Sequence, residues 1–260
     1  MSRLTPFDPW TYLAAHTPAR VARGRSGVSL PTREVLAFSL DHARARDAVH
    51  APFDPVGLAA ALGSIGQTLC VDSAAADRAA FLRRPDLGRR LDAASRERLQ
   101  AQAGGPHDLA VVVADGLSGT AAPRHAGPLL AALDGHLAAD GWTRAPLVVA
   151  SQARVALGDE IGQILGARLV LMLIGERPGL SSPDSLGAYL TFAPATGRTD
   201  AERNCVSNIR PAGLGYEAAA ARLAWLMREA MRLGLTGVGL KDESELEALS
   251  VIGDGATLPP

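Results

Sequence analysis

The sequence Arg168-Leu-Val-Leu-Met-Leu-Ile-Gly-Glu-Arg-Pro-Gly-Leu180 decides the fold. From Leu169 to Gly175 every residue is apolar or glycine, without alternation, which is typical of a strand buried on both faces in a parallel sheet. Glu176 and Arg177 follow at once, and Pro178-Gly179 favours a turn. Two charged side chains therefore follow the carboxyl end of a buried strand, the edge where open α/β sheets bind ligands. From this stretch alone, two solvated loop charges are an equally good interpretation.

This strand is one of several that alternate with helices. Buried strands are predicted at 108–114 and 146–150, and helices at 128–139 and 155–166. Such alternation is typical of βαβ units, whose right-handed crossovers place helices on both faces of a parallel sheet. The last predicted elements are a fourth strand and a closing helix, 187–193 and 216–233. The predicted fold class is α/β, a Rossmann-like, mostly parallel sheet preceded by a mainly helical N-terminal region.

Residues 1–102 are predicted to form an irregular arm and a helical region without a strand. Three helices are expected here, at 32–47, 55–69 and 86–102. An arginine-rich loop before the first of them suits a partner interface better than a ligand pocket. The clearest linker is Ala103-Gln-Ala-Gly-Gly-Pro-His107. We therefore divide the chain into a partner-facing region at 1–102, an α/β domain at 108–240 and a flexible tail at 241–260.

Composition argues against several classes of partner. The 260 residues carry a formal net charge of -1, so the overall field gives no reason to expect nucleic acid or an anionic membrane surface. No run approaches the roughly 20 apolar residues of a membrane span. The cysteines, Cys70 and Cys205, lack metal-ligand spacing and predict reduced thiols without a disulfide framework. We expect a soluble intracellular chain with no membrane partner, no nucleic-acid partner and no protein-bound metal site.

A second strand end carries polar groups as well. Asp115-Gly-Leu-Ser118 follows the strand at 108–114, and its glycine lets a ligand approach the main chain. Neither strand end matches the dinucleotide, P-loop or Gly-x-Ser-x-Gly hydrolase motifs. A stand-alone enzyme that uses Asp115, Ser118 and Glu176 is one alternative, but all six histidines lie at or before His136, so this alternative has no positioned base.

Seven motifs in a fixed order make a specific match to one enzyme family. They are Ala19-Arg-Val-Ala-Arg-Gly-Arg-Ser-Gly27, Asp41-His-Ala-Arg-Ala-Arg-Asp47, Leu82-Arg-Arg-Pro-Asp-Leu-Gly-Arg-Arg-Leu91, Asp115-Gly-Leu-Ser118, Glu160-Ile-Gly-Gln-Ile-Leu-Gly-Ala167, Ile174-Gly-Glu-Arg-Pro-Gly-Leu180 and Asn204-Cys-Val-Ser-Asn-Ile209. Through these residues the chain, over roughly 17–239, resembles the small (light) subunit of ethanolamine ammonia-lyase, an adenosylcobalamin-dependent enzyme.

The resemblance implies that this chain forms half of an active site. In the family, a large TIM-barrel subunit binds the amino alcohol and carries the catalytic residues, and ethanolamine becomes acetaldehyde and ammonia by radical chemistry. The small subunit covers the corrinoid from the other side, in a higher-order hetero-oligomer of small and large subunits. The alternative is a corrinoid-binding or assembly module with no catalytic partnership. Some members carry a longer leader for a protein-shelled microcompartment; only about sixteen residues precede the matched region here, which argues against encapsulation.

The family's corrinoid contacts fall on Val155, Glu176 and Cys205. A carboxylate can accept hydrogen bonds from the amides around a corrin, and a small apolar residue suits the face of the ring. For the thiol we expect a packing contact only. The chain lacks the Asp-x-His-x-x-Gly motif of base-off corrinoid proteins, since Asp134-Gly-His136-Leu-Ala-Ala139 has no final glycine and lies in a predicted helix. The resemblance therefore implies base-on adenosylcobalamin, with His136 on a helix surface.

Overall fold

A mixed sheet of six strands forms the centre of the computed structural model, which describes residues 9–17 and 19–244. The strands are β1 (Thr68–Asp72), β2 (His107–Ala114), β3 (Leu147–Ser151), β4 (Ala167–Gly175), β5 (Leu186–Phe192) and β6 (Asn204–Ile209). Their order across the sheet is β1-β3-β2-β4-β5-β6. The first four strands in this order are parallel to one another, and β5 and β6 are antiparallel to their neighbours.

Seven α-helices formed by the described residues surround the sheet. They are α1 (Thr32–His50), α2 (Pro55–Leu62), α3 (Arg78–Arg83), α4 (Ala93–Ala101), α5 (Ala121–Leu137), α6 (Leu157–Ile164) and α7 (Tyr216–Leu233). The structure also has short 3₁₀ helices, of which the first is Pro9–Ala15. None of the described helices is long and apolar enough to cross a bilayer.

The core has two layers, one on each face of the sheet. Along β2, Leu109, Val111 and Val113 pack with residues of α2, α5 and α7. The alternate residues of the same strand pack with α4 and α6 on the other face. Because successive side chains of a strand point to opposite faces, a strand covered on both sides is apolar throughout. The predicted fold class, a mostly parallel α/β sheet with helices around it, is confirmed.

The expectation that residues 1–102 contain no strand is wrong. The second predicted helix ends at Leu62, and the chain then forms β1, which pairs in parallel with β3 and places Cys70 beside Val149. Gly63 and Gly66 interrupt the helical pattern before this strand. The third predicted helix begins later, at Ala93, where the Asp92 side chain accepts a hydrogen bond from the backbone N–H of Ser95 at 2.6 Å.

Other elements differ from the predictions mainly at their ends. Helix α7 has the predicted bounds, whereas α5 begins at Ala121 rather than at Pro128, because Pro123 already occupies its first turn. Strand β6 and helix α3 were not predicted. The proposed division of the chain into domains stays a prediction, and most of the predicted tail, 245–260, lies outside the described residues.

Candidate functional site

The loops that follow β2 and β4 are packed backbone against backbone at the carboxyl edge of the sheet. The N–H of Leu117 donates to the carbonyl of Gly175 at 2.9 Å. A Cβ at Gly175 would overlap the carbonyl oxygens of Asp115 and Ser118, and one at Gly116 would overlap the carbonyl of Gly175. Both glycines are therefore needed for this close approach. The two strand ends that the sequence predicts at one edge do meet there.

A cavity of about 560 Å³ opens beside these loops. Its walls come from the loops after β2, β3 and β4 and from the start of β5 and the end of β6. The lining residues that matter for its chemistry are Arg154, Val155, Glu176, Arg177, Ser181, Ser182, Ser185, Tyr189, Asn208 and Arg210. This is the switch-point side of the sheet, since the chain leaves β2 for one neighbour, β3, and then crosses to the other, β4.

Glu176 lines the cavity with one carboxylate oxygen held by the protein. Its Oε2 accepts hydrogen bonds from the Ser185 hydroxyl and, at 3.1 Å, from the backbone N–H of Asn208. The backbone N–H of Glu176 donates to the Ser185 carbonyl at 3.0 Å, which fixes the start of the loop. Within the described part of the chain, Oε1 has no hydrogen-bond partner. The carboxylate is thus oriented and keeps one oxygen as an acceptor.

Val155 lies on the same cavity. It belongs to the turn between β3 and α6, is half-buried, and packs against the core layer that contains Ala153 and Leu157. The turn is anchored by the N–H of Arg154, which donates to the carbonyl of Gly88 at 2.8 Å. Val155 therefore presents a small apolar surface close to the carboxylate of Glu176.

Cys205 does not line the cavity itself but lies on the strand next to one of its walls. It is an exposed residue of β6 and stands opposite Tyr189 of β5, which does line the cavity. Loss of solvent raises the pKa of the Cys205 thiol; a hydrogen bond with Tyr189 opposes this, and the charge of Glu176 adds to it. The thiol is therefore protonated at neutral pH, which argues against a nucleophilic role. The structure brings Val155 and Glu176 together and connects Cys205 to them through Tyr189.

Comparisons with known proteins agree with one another. The family model described as "Ethanolamine ammonia-lyase light chain (EutC)" matches residues 7–241. A protein of Pseudomonas putida named "Ethanolamine ammonia-lyase small subunit" is 58% identical over 250 residues, which cover 94% of this chain and 92% of the relative. A protein of the same name from Azotobacter vinelandii is 56% identical over 252 residues, 95% of this chain and 93% of its own. This chain belongs to the ethanolamine ammonia-lyase light-chain family.

Arg78 supports one wall of the cavity in this light chain, a role that the sequence did not predict. Its guanidinium donates to Asp115 at 3.1 Å and to the carbonyls of Gly116 and Leu117 at 2.8 and 3.1 Å. Its Nε also donates to the carbonyl of Val49 at 2.7 Å. One side chain therefore ties the loop after β2, and so one wall of the cavity, to the end of α1. Nothing in the local sequence indicates this role, because every partner lies far from Arg78 along the chain.

Asp115 is the buried partner of Arg78 in the light chain. Burial raises the pKa of its carboxyl group to about 6, while Arg78 and the backbone N–H groups of Ala153, Gln152 and Gly116 oppose that shift. Its Oδ1 accepts from the N–H of Gly116 at 2.8 Å and of Ala153 at 3.1 Å. Asp115 thus joins the loops after β2 and β3, so its role in the structure is to hold two cavity walls together.

The stand-alone enzyme alternative finds no support in this geometry. Ser118 is fully buried; its hydroxyl lies 3.1 Å from Thr120 Oγ1 and donates to the carbonyl of Pro183 at 2.8 Å. No histidine is among its hydrogen-bond partners in the described residues, so nothing there would activate it. His136 lies on the surface of α5 beside Glu217, as predicted. No group of three or more metal-binding side chains occurs in ranges 9–17 and 19–244.

Proposed function

We propose that this light chain binds base-on adenosylcobalamin at the cavity of Val155 and Glu176, with Cys205 in contact at its margin. The bound corrinoid lies against a large TIM-barrel subunit that holds ethanolamine and carries the catalytic residues, in a higher-order hetero-oligomer of the cytoplasm. The proposal rests on the family together with one observation: Glu176 is oriented by Ser185 and Asn208 yet keeps an acceptor oxygen without a partner in the described chain.

The residues of the cavity fit a corrinoid. The rim of a corrin carries amides that donate hydrogen bonds, which suits a fixed carboxylate oxygen, and its apolar face suits Val155. Pockets for drug-sized molecules measure about 300–1,000 Å³, and a corrinoid with its nucleotide is larger than such molecules. A cavity of about 560 Å³ therefore covers only part of it, as expected of a site completed by a second subunit.

The side chains around the cavity also favour base-on binding. The described lining residues include no histidine, and the nearby Cys205 thiol is protonated, so the described wall of the cavity presents no ligand to replace the cofactor's own base. When bound, the cofactor supplies the radical chemistry. The light chain orients the ring through Glu176, packs against it through Val155, and keeps water from one side of it.

The exposed apolar side chains support a partner-facing N-terminal region. Most of the large ones lie between residues 10 and 56: Trp10, Tyr12, Val28, Leu30, Val35, Leu36, Phe38, Leu40 and Val56. Helix α1 carries four of them and has one buried residue, Ala48. Exposed apolar surface on this scale is typical of protein–protein interfaces. We assign this surface to the large subunit.

The test compares Glu176→Gln with wild type in the complex co-expressed with the large subunit. Glutamine keeps the size of the side chain, and its carbonyl oxygen can still accept from Ser185 and Asn208, but an N–H₂ then replaces the acceptor oxygen that faces the cavity. We therefore expect adenosylcobalamin to bind about tenfold more weakly, with kcat little changed. Cofactor titration followed by absorbance, together with acetaldehyde release, measures both. Glu217→Gln, a surface carboxylate outside the cavity, is the matched control.

The same experiment separates the other candidates. We expect acetaldehyde only when both subunits are present. Turnover by the light chain alone would contradict the two-subunit proposal. Tight cofactor binding by the light chain together with an inactive, folded complex would instead support the corrinoid-binding module.

A further inference from the structure

Three arginines at the cavity form no ion pair with any carboxylate that the structure describes. Most arginines of this chain form ion pairs, for example Arg124 with Asp184 and Arg228 with Asp140. Among the described residues, the arginines outside any ion pair are Arg25, Arg83, Arg89, Arg154, Arg177 and Arg210. Three of these, Arg154, Arg177 and Arg210, line the cavity of Glu176. Unneutralised guanidinium groups are thus gathered at one place.

Two of the three arginines are held in position without being neutralised. The Arg154 guanidinium lies 4.3 Å from the centre of the Phe81 ring and donates to the Phe81 carbonyl at 3.3 Å, while its buried Nε has no partner. Arg210 Nε donates to the side-chain oxygen of Asn208 at 2.9 Å. Arg177 is exposed, and no described residue bonds to it. Most of their N–H donors therefore have no hydrogen-bond partner in the described part of the chain.

The surroundings of the arginines leave a positive charge to be balanced. Glu176 is the only carboxylate among the described lining residues, and it is already held by Ser185 and Asn208. Burial lowers the pKa of Arg154, and the like charges of Arg78, Arg89 and Arg177 lower it further. The hydroxyls of Ser181 and Ser182 also line the cavity without a hydrogen bond to a described residue. Guanidinium and hydroxyl donors together are the usual surroundings of a phosphate group.

We propose that Arg154, Arg177 and Arg210, with Ser181 and Ser182, form a subsite for a phosphoryl group, the phosphodiester of the corrinoid's nucleotide. This inference rests on the proposed function, because it extends the same cavity from the corrin to the nucleotide. A guanidinium binds two phosphate oxygens at once, and a phosphodiester always carries the negative charge that the arginines lack. In this arrangement Glu176 holds amides of the ring and the arginines hold the nucleotide.

Three corrinoid ligands distinguish binding of the phosphate from binding of the rest of the cofactor. Adenosylcobalamin has both the phosphodiester and the base, adenosylcobinamide phosphate has a phosphate without the base, and adenosylcobinamide has neither. Their affinities are measured by absorbance titration on the complex with the large subunit, for wild type, Arg177→Ala, Arg210→Ala and the double variant. We expect each single variant to weaken the two phosphate-bearing ligands about tenfold and the double variant about 100-fold, with adenosylcobinamide changed less than twofold.

Two controls make the result specific. Arg83→Ala removes another exposed arginine without an ion pair, outside the cavity, and should change none of the three affinities. Inorganic phosphate should compete with adenosylcobinamide phosphate in wild type but not in the double variant. Arg154 is left intact, because its stacking on Phe81 makes it part of the fold.

Several results would overturn the inference. Equal weakening of all three ligands would assign the arginines to the ring or to the fold. Unchanged affinities would exclude them from the site, and competition by phosphate without any effect on adenosylcobalamin would leave a site for free phosphate only. If wild type bound none of the three corrinoids, the proposed function itself would fail, which distinguishes that failure from failure of the subsite alone.

Discussion

The cavity edge and helix α1 use their side chains in opposite ways. At the edge, polar groups are fixed by partners within the same chain, as when Arg78 bonds Asp115 and three carbonyls or Ser185 bonds Glu176. On α1, Leu36 and Leu40 are 63% and 51% exposed and contribute little to the core. The cavity edge is thus held together by contacts within this chain, whereas the apolar side chains of α1 have few such contacts, as the proposed partner interface requires. The comparison predicts that changes at the edge alter folding, whereas changes on α1 alter assembly.

The buried carboxyl group of Asp115 gives the largest expected effect. A pKa of about 6 in the folded state, against about 3.9 in an unfolded chain, means that the folded state binds this proton more tightly. The group therefore stabilises the fold fully below about pH 4, and this contribution of about 2–3 kcal/mol is lost as pH rises through 6. The difference in free energy of unfolding between wild type and Asp115→Asn should therefore shift in favour of wild type by about 2–3 kcal/mol when the pH is lowered from 7 to 4.

Urea unfolding at several pH values measures the difference between the two proteins. Asp47→Asn, which removes an exposed carboxyl on α1, is the matched control for the substitution itself. A difference between Asp115→Asn and wild type that does not change with pH would contradict the raised pKa of Asp115.

A substitution at Gly175 tests the backbone contact at the edge. In Gly175→Ala the new Cβ overlaps the carbonyls of Asp115 and Ser118, so the loops after β2 and β4 must separate. We expect a loss of about 1–3 kcal/mol in the free energy of unfolding and weaker cofactor binding by the complex. Gly135→Ala on α5 is the control, since its Cβ would meet nothing within 4 Å and alanine favours a helix. Equal stability of the two variants would contradict the tight packing.

The same contrast explains which features could be predicted from sequence. Strand β4 and helix α7 carry strong local patterns, a continuous apolar run and a helical period, and both were predicted. Strand β6 has few apolar residues, and β1 follows closely after an apolar helix. Neither segment therefore has a local pattern that identifies it as a strand, and both become strands through pairing in the sheet. Local patterns therefore predict the centre of the sheet better than its edges.

The candidate site likewise contains residues that the sequence predicts and others that it does not. The motif around Glu176 predicts a carboxylate at the ligand edge, because the preceding strand is evident in the sequence. The groups that orient it are Ser185, which immediately precedes β5, and the N–H of Asn208 in β6. Arg78, which braces the neighbouring loop, comes from the short helix α3. These partners are brought together by the sheet order and not by spacing along the chain. Sequence therefore predicts the functional group but not the residues that hold it.

Helix α1 should show the smallest effect on stability and a clear effect on assembly. In Leu36→Gln/Leu40→Gln the helix keeps good helix-forming residues and loses exposed apolar surface, so the free energy of unfolding of the light chain should change by less than about 0.5 kcal/mol. Its affinity for the large subunit, measured by calorimetry, should fall about tenfold or more, because central apolar residues dominate such interfaces. Leu233→Gln, an exposed leucine on α7, is the control and should leave that affinity unchanged. If the double variant unfolded readily and still assembled normally, Leu36 and Leu40 would contribute to the fold of this chain rather than to its assembly. The large subunit would then have to contact another surface.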